Sequence, residues 1–205
     1  VPAGGGLWGR RGASIGTDGT VYLGTGDGMF DPSNRRLGNA IVGVKIDDNK
    51  QLQLADFFAP PNANWMWRRD LDVNTTPMAF DYKGHHFLVG TSKECRLWLL
   101  DRDGLGGEDH RTTLHTTPLV CNDALAFDWR GIWGALSGWQ DSSGTQWVIA
   151  PFWGPVSAQF KAPIEHARPA GGGVAAFKLV ERDGGWRLDP AWLSRDMDLG
   201  EEAVI

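Results

Sequence analysis

Three glycine turns at matching points of a repeated strand pattern constrain this chain more than any other feature. Gly19, Gly84 and Gly144 stand 65 and 60 residues apart. Each closes a turn between two strand-like runs, and further strand-like runs follow. The first copy has runs at 13–15 and 21–24 around the Asp18-Gly19 turn, then 39–46, a turn at 47–50, and 51–58. The second has 76–80, 86–90 and 96–101; the third has 134–139, 146–150, 173–180 and 186–192. An Asp-Gly step between alternating apolar residues is a strong hairpin signal. Apolar spacing of the i, i+3, i+4 kind is nowhere sustained for the ten or so residues that a helix needs, because Gly or Pro interrupts almost every candidate. An all-β chain is expected.

Four strands per repeat fit a β-propeller of four-stranded antiparallel blades carrying insertions. Blade-like repeats fall at about 7–58, 70–120 and 130–193, and residues 199–205 read as the start of a further blade. Propellers close with roughly four to eight blades, so about three cannot form a ring. Further propeller blades or a second chain are expected to complete it. An open sandwich is the weaker reading, since it gives the turns no reason to recur. The 28 Gly and 11 Trp suit such a fold, with tight turns clamped by large flat side chains. A net charge of -5 and the lack of any Lys/Arg cluster argue against nucleic acid as a partner. No apolar run is long enough for a membrane span. The chain opens on Val1 rather than Met, so it is expected to begin inside a longer product.

The segment Asp70-Leu-Asp72-Val-Asn74 carries two carboxylates spaced i, i+2. On an extended backbone that spacing turns both to one side, where they can share a metal ion or divide cation binding from proton transfer. Cys95 and Cys121 form no CxxC or CxxCH motif, which excludes a c-type haem and a zinc ribbon, so no haem is expected. A disulfide between them is possible and not demanded. The five histidines are scattered without metal-ligand spacing and read as exposed or hydrogen-bonding residues. Ser137 lacks the nucleophile elbow of a serine hydrolase. Asp101-Arg102-Asp103 reads as a solvated turn, and residues 62–67 as an aromatic insertion between blades.

Four stretches carry a family resemblance: Gly4-Gly-Gly-Leu-Trp8, Val21-Tyr-Leu-Gly-Thr-Gly-Asp27, Asp70-Leu-Asp72, and Lys93-Glu-Cys-Arg-Leu-Trp-Leu-Leu-Asp-Arg-Asp-Gly-Leu-Gly106-Gly107. In their order the chain resembles the β-propellers that bind pyrroloquinoline quinone (PQQ). It is most similar to the branch of quinoprotein alcohol dehydrogenases and polyvinyl-alcohol-dehydrogenase-like proteins. The resemblance implies an eight-bladed full ring. It implies Trp8 as the floor under the quinone and Lys93 as a donor to the quinone oxygens. Asp27 stands where the family usually has an Asn that ligates calcium, and Asp72 matches the extra carboxylate of lanthanide-using members. Asp70 matches the catalytic base that takes the alcohol proton as hydride leaves for the quinone.

The implied protein is a quinoprotein dehydrogenase that oxidises alcohol groups of small or polymeric substrates by hydride transfer to PQQ, with bound Ca2+ or lanthanide. The implied location is periplasmic or secreted. The chain departs from the family in three ways. Arg68 and Arg69 stand where a Trp usually precedes the base, and Arg69 is expected to hold Asp70 ionised as an ion pair. The family's Glu ligand and vicinal Cys-Cys pair are absent. The docking pattern that joins the family's blades is degraded at Val44–Lys50. The alternative is a non-catalytic propeller scaffold that presents loops to a protein partner.

Overall fold

A computed structural model describes residues 5–9, 11–127 and 130–197. Gly4, Arg10 and the expected further repeat at 199–205 lie outside the described residues. The described residues form a mostly β structure in which antiparallel sheets follow one another along the chain, none of them closed on itself.

In the first sheet, Gly6–Trp8 and Ser14–Ile15 share the outer position against Val21–Gly26, followed by Ile41–Ile46 and Leu52–Phe58. The second sheet runs Met78–Tyr82, His85–Thr91, Leu97–Asp101 and His115–Thr116 in sequence order. The third runs Ser137–Gln140, Gln146–Trp153, Gly172–Arg182 and Gly185–Leu193, and Ile164–Glu165 adds in parallel at the far edge. A small ribbon of Phe30–Asp31 and Arg36–Leu37 leaves the first sheet. Gly24, Gly90 and Ala150 each sit in the second strand position of their sheet. The turn glycines are required by their backbone: Gly19, Gly84 and Gly144 have φ of 79°, 78° and 83°, a region that a side chain disfavours.

The second sheet is buried on both faces. Phe87, Val89, Leu97 and Leu99 pack toward Val148, Phe152 and Phe177 of the third sheet. Leu88, Trp98 and Leu100 turn the other way, toward Tyr22, Ile41 and Phe58 of the first. A strand covered on both sides loses the apolar–polar alternation, which explains the unbroken runs Phe87–Val89 and Leu97–Leu100. Each such buried side chain contributes about 1.5–3 kcal/mol relative to exposure.

The outer face of the first sheet is different. Register puts Ile15, Val21, Val44 and Leu54 in one cross-strand row, with Ile46 and Leu52 beside it. Ile15, Ile46, Leu52 and Leu54 are 52–70% exposed. Ile41 and Val42 of the same hairpin are buried, so the open row lies farther along it.

Two other expectations change, and one open question closes. The aromatic insertion contains one turn of α-helix, Ala63–Trp67, because Ala63 and Met66 at i, i+3 both bury. Arg102 is not a solvated turn residue: its buried guanidinium donates to Asp81 Oδ1 at 2.7 Å and Thr17 Oγ1 at 2.8 Å, tying the second sheet to the first. Asp101 and Asp103 do make the expected exposed turn, with the Asp103 N–H donating to Asp101. The open question of the cysteines resolves as a buried Cys95–Cys121 disulfide with Cα atoms 5.4 Å apart.

Candidate functional site

The residues singled out from sequence meet in one cleft of about 410 Å³. Trp8 ends the outer strand of the first sheet, opposite Gly24. Its indole rests over Gly26, where an added methyl would lie 2.7 Å from the ring nitrogen. Trp8 and the glycine beneath it are therefore matched in size. Asp27 directly follows the strand Val21–Gly26 with φ 53°, which swings the chain around toward Asp72.

Asp70 follows the short helix, also in the left-handed region at φ 56°. From there the chain alternates. Leu71 and Val73 bury in the core between the first two sheets, and Asp72 and Asn74 line the cleft. Lys93 comes from the turn after His85–Thr91. Phe127 and Trp133 complete the wall from the long connection between the second and third sheets.

Lys93 Nζ donates to Asp70 Oδ1 and to Asp72 Oδ2, each at 2.7 Å. It also lies 4.4 Å from the centre of the Phe127 ring and 5.3 Å from that of Trp133, so aromatic faces cover the ammonium. The Asp27 N–H donates to Asp72 Oδ1 at 3.0 Å. One carboxylate oxygen from each of Asp27, Asp70 and Asp72 lies within 4.8 Å of the others. Asp72 is nearly wholly buried, whereas the Asp70 side chain is 46% exposed.

These surroundings push the two neighbours apart. Burial, then the hydrogen bond to Asp72, holds the Asp70 carboxyl above the ordinary carboxylate range, and Lys93 only partly offsets them. For Asp72 burial acts upward, but hydrogen bonds from Asp70, Lys93 and the Asp27 N–H outweigh it and hold the carboxylate low. Asp27 is raised by partial desolvation and by the charge on Asp72. Among the described residues, three carboxylates face one ammonium, so the cluster favours a proton or a further cation.

Trp8, Asp27, Asp70, Asp72 and Lys93 are thus neighbours, although they come from stretches up to 85 residues apart. The expected Arg69 ion pair does not form: the guanidinium stacks over Trp65, 4.2 Å from its ring centre, and the cation on Asp70 is Lys93. Sequence reasoning missed Asn74, Phe127 and Trp133. Asn74 had a signal, since it continues the Asp70, Asp72 spacing by one more step. The two aromatic residues lie in a connection without strand periodicity, and nothing local marks them. No family model matches the chain, and no curated protein matches it.

Proposed function

We propose that this chain is part of a PQQ-binding-like β-propeller and that the cleft is its cofactor site, serving oxidation of alcohol groups. The observation that carries the reading is the convergence of Trp8, Asp27, Asp70, Asp72 and Lys93. Three successive sheets of five, four and five strands, each containing a four-strand antiparallel meander and packed face on face, support the propeller, with about 7–58, 70–120 and 130–193 as blades and the ring completed by further blades or a second chain. The buried disulfide fits a periplasmic or secreted protein, because such bonds persist in oxidising compartments.

The donor chemistry fits the group. Asp27, Asp70 and Asp72 offer only carboxylate oxygens, the ligands that Ca2+ or a lanthanide prefers. Trp8 offers a flat apolar floor, and Lys93 a cation within the same cleft. When bound, the quinone supplies a two-electron acceptor and the cation a Lewis acid. Asp70 accepts the hydroxyl proton of the alcohol. Its raised pKa brings it nearer the pH at which it works, which suits a general base. Asp72, held ionised, keeps Lys93 in place beside it, and Phe127 and Trp133 exclude water from the ammonium.

One observation favours the scaffold alternative: Lys93 already bridges Asp70 and Asp72, so those two carboxylates are satisfied without a metal. Quinone titration followed by absorbance, with Ca2+ or La3+ present, separates the readings. Binding by the wild type that is lost in Trp8→Ala, with dye reduction lost in Asp70→Ala, is the expected result. No quinone binding by the folded wild type with either metal would leave the scaffold as the better account.

A further inference from the structure

We propose that Asn74 supplies a fourth oxygen to a cation held by Asp27, Asp70 and Asp72. The proposal rests on the reading of that cluster as a cation site and adds to it a ligand of a different kind, a neutral amide oxygen. Three observations lead to it.

The first is position. Leu71 and Val73 are 0% and 1% exposed in the core, so the alternating backbone turns Asp72 and Asn74 to the opposite side, where both line the cleft. Asn74 is therefore on the cluster's side of the chain, two residues beyond its most buried carboxylate.

The second is an unmet requirement. Asn74 Oδ1 is buried without a hydrogen-bond partner. Among the described residues only Asn122 Oδ1 and Arg187 Nε share that condition, and neither of those residues lines the cleft. Leaving a buried amide carbonyl unpaired costs about 1–3 kcal/mol, and folded proteins leave few such groups.

The third is the chemistry of the neighbours. Among the described residues, the other polar side chains of the cleft are three carboxylates, which accept, and Lys93, two of whose N–H groups are directed to Asp70 and Asp72 while Phe127 and Trp133 cover the ammonium. No described side chain of the cleft is then placed to donate to Asn74, and an electropositive partner from outside the chain would meet the need. A hard cation on the adjacent carboxylates meets both needs, and a neutral oxygen raises the coordination number without adding charge.

Terbium(III) serves as the probe, with emission sensitised by the tryptophans of the cleft. Titration gives the affinity, and emission lifetimes in H2O and D2O give the number of waters on the metal. The expected result is that Asn74→Ala weakens Tb3+ binding about tenfold, equivalent to about 1.4 kcal/mol, and adds one coordinated water. Asn74→Asp keeps the wild-type water number and binds at least as tightly. Because the amide oxygen has no partner within the chain, Asn74→Ala does not lower the metal-free melting temperature, whereas loss of a merely structural residue would lower it. Unchanged affinity and hydration in Asn74→Ala, with the wild type binding Tb3+, overturns the role of Asn74 and leaves the carboxylate site standing. Absence of sensitised Tb3+ emission from the folded wild type overturns the cation site itself.

Discussion

Replacing Lys93 with Met tests what holds the cleft together. The substitution keeps an unbranched side chain beside Phe127 and Trp133, where a thioether packs well, so the change is mainly one of charge. It removes the ammonium that lies 2.7 Å from both Asp70 and Asp72. Removing one partner of a buried ion pair costs about 3–5 kcal/mol, because the remaining charge stays desolvated. Asp72 is 2% exposed and meets that condition, whereas Asp70 at 46% is largely screened by solvent and adds little. Asp72 also keeps the hydrogen bond from the Asp27 N–H, which argues for the lower end, about 3 kcal/mol. For a chain of this size that is a fall of roughly 6–12 °C in Tm. Thermal melts followed by circular dichroism at pH 7 read the effect. Millimolar Ca2+ is expected to return a substantial part of the loss in Lys93→Met, since a divalent ion can replace the missing charge, and to do less for the wild type. A Tm within about 2 °C of wild type, with no response to Ca2+, would refute the view that Lys93 neutralises these carboxylates.

Three further outcomes are expected. Reduction, or Cys95→Ser with Cys121→Ser, lowers stability by roughly 3 kcal/mol, since the bond closes a loop of 26 residues; an unchanged melt in reductant would count against it. His115 is held below the usual histidine range, first by burial and then by the charge of Arg187, and its Nδ1 accepts from the Leu188 N–H. A histidine whose pKa is depressed on folding stabilises the fold above its unfolded value of about 6.5 and loses that contribution as pH falls, so Tm should drop below pH 6.5 less steeply in His115→Gln than in wild type. The exposed row of Ile15, Ile46, Leu52 and Leu54 should drive self-association at micromolar concentration; sedimentation should show Ile46→Lys with Leu52→Glu shifting the chain toward monomer, and a wild type that stays monomeric at high concentration contradicts this.

Legibility differed between the strands and the pairings. The two-sided burial of the second sheet was written in Phe87–Val89 and Leu97–Leu100, and the one-turn helix at Ala63–Trp67 was hidden because five residues are too few to establish a period. Arg102 looked like a surface charge between two aspartates. Its burial depends on Asp81 and Thr17, which lie 21 and 85 residues away.

By itself the sequence determined the strand pattern, the positive-φ turns at Gly19, Gly84 and Gly144, and five of the side chains that line the cleft, Trp8, Asp27, Asp70, Asp72 and Lys93. Alternation and turn chemistry act over a few residues, so they are readable locally. Only the tertiary structure decided that Lys93 rather than Arg69 takes Asp70, that Phe127 and Trp133 cover the ammonium, and that Asn74 is left without a partner. Those outcomes depend on left-handed backbone at Asp27 and Asp70 and on the stacking of separate sheets. Pairing between charges is settled by which side chains the packed sheets bring within about 3 Å, and no local spacing encodes that distance.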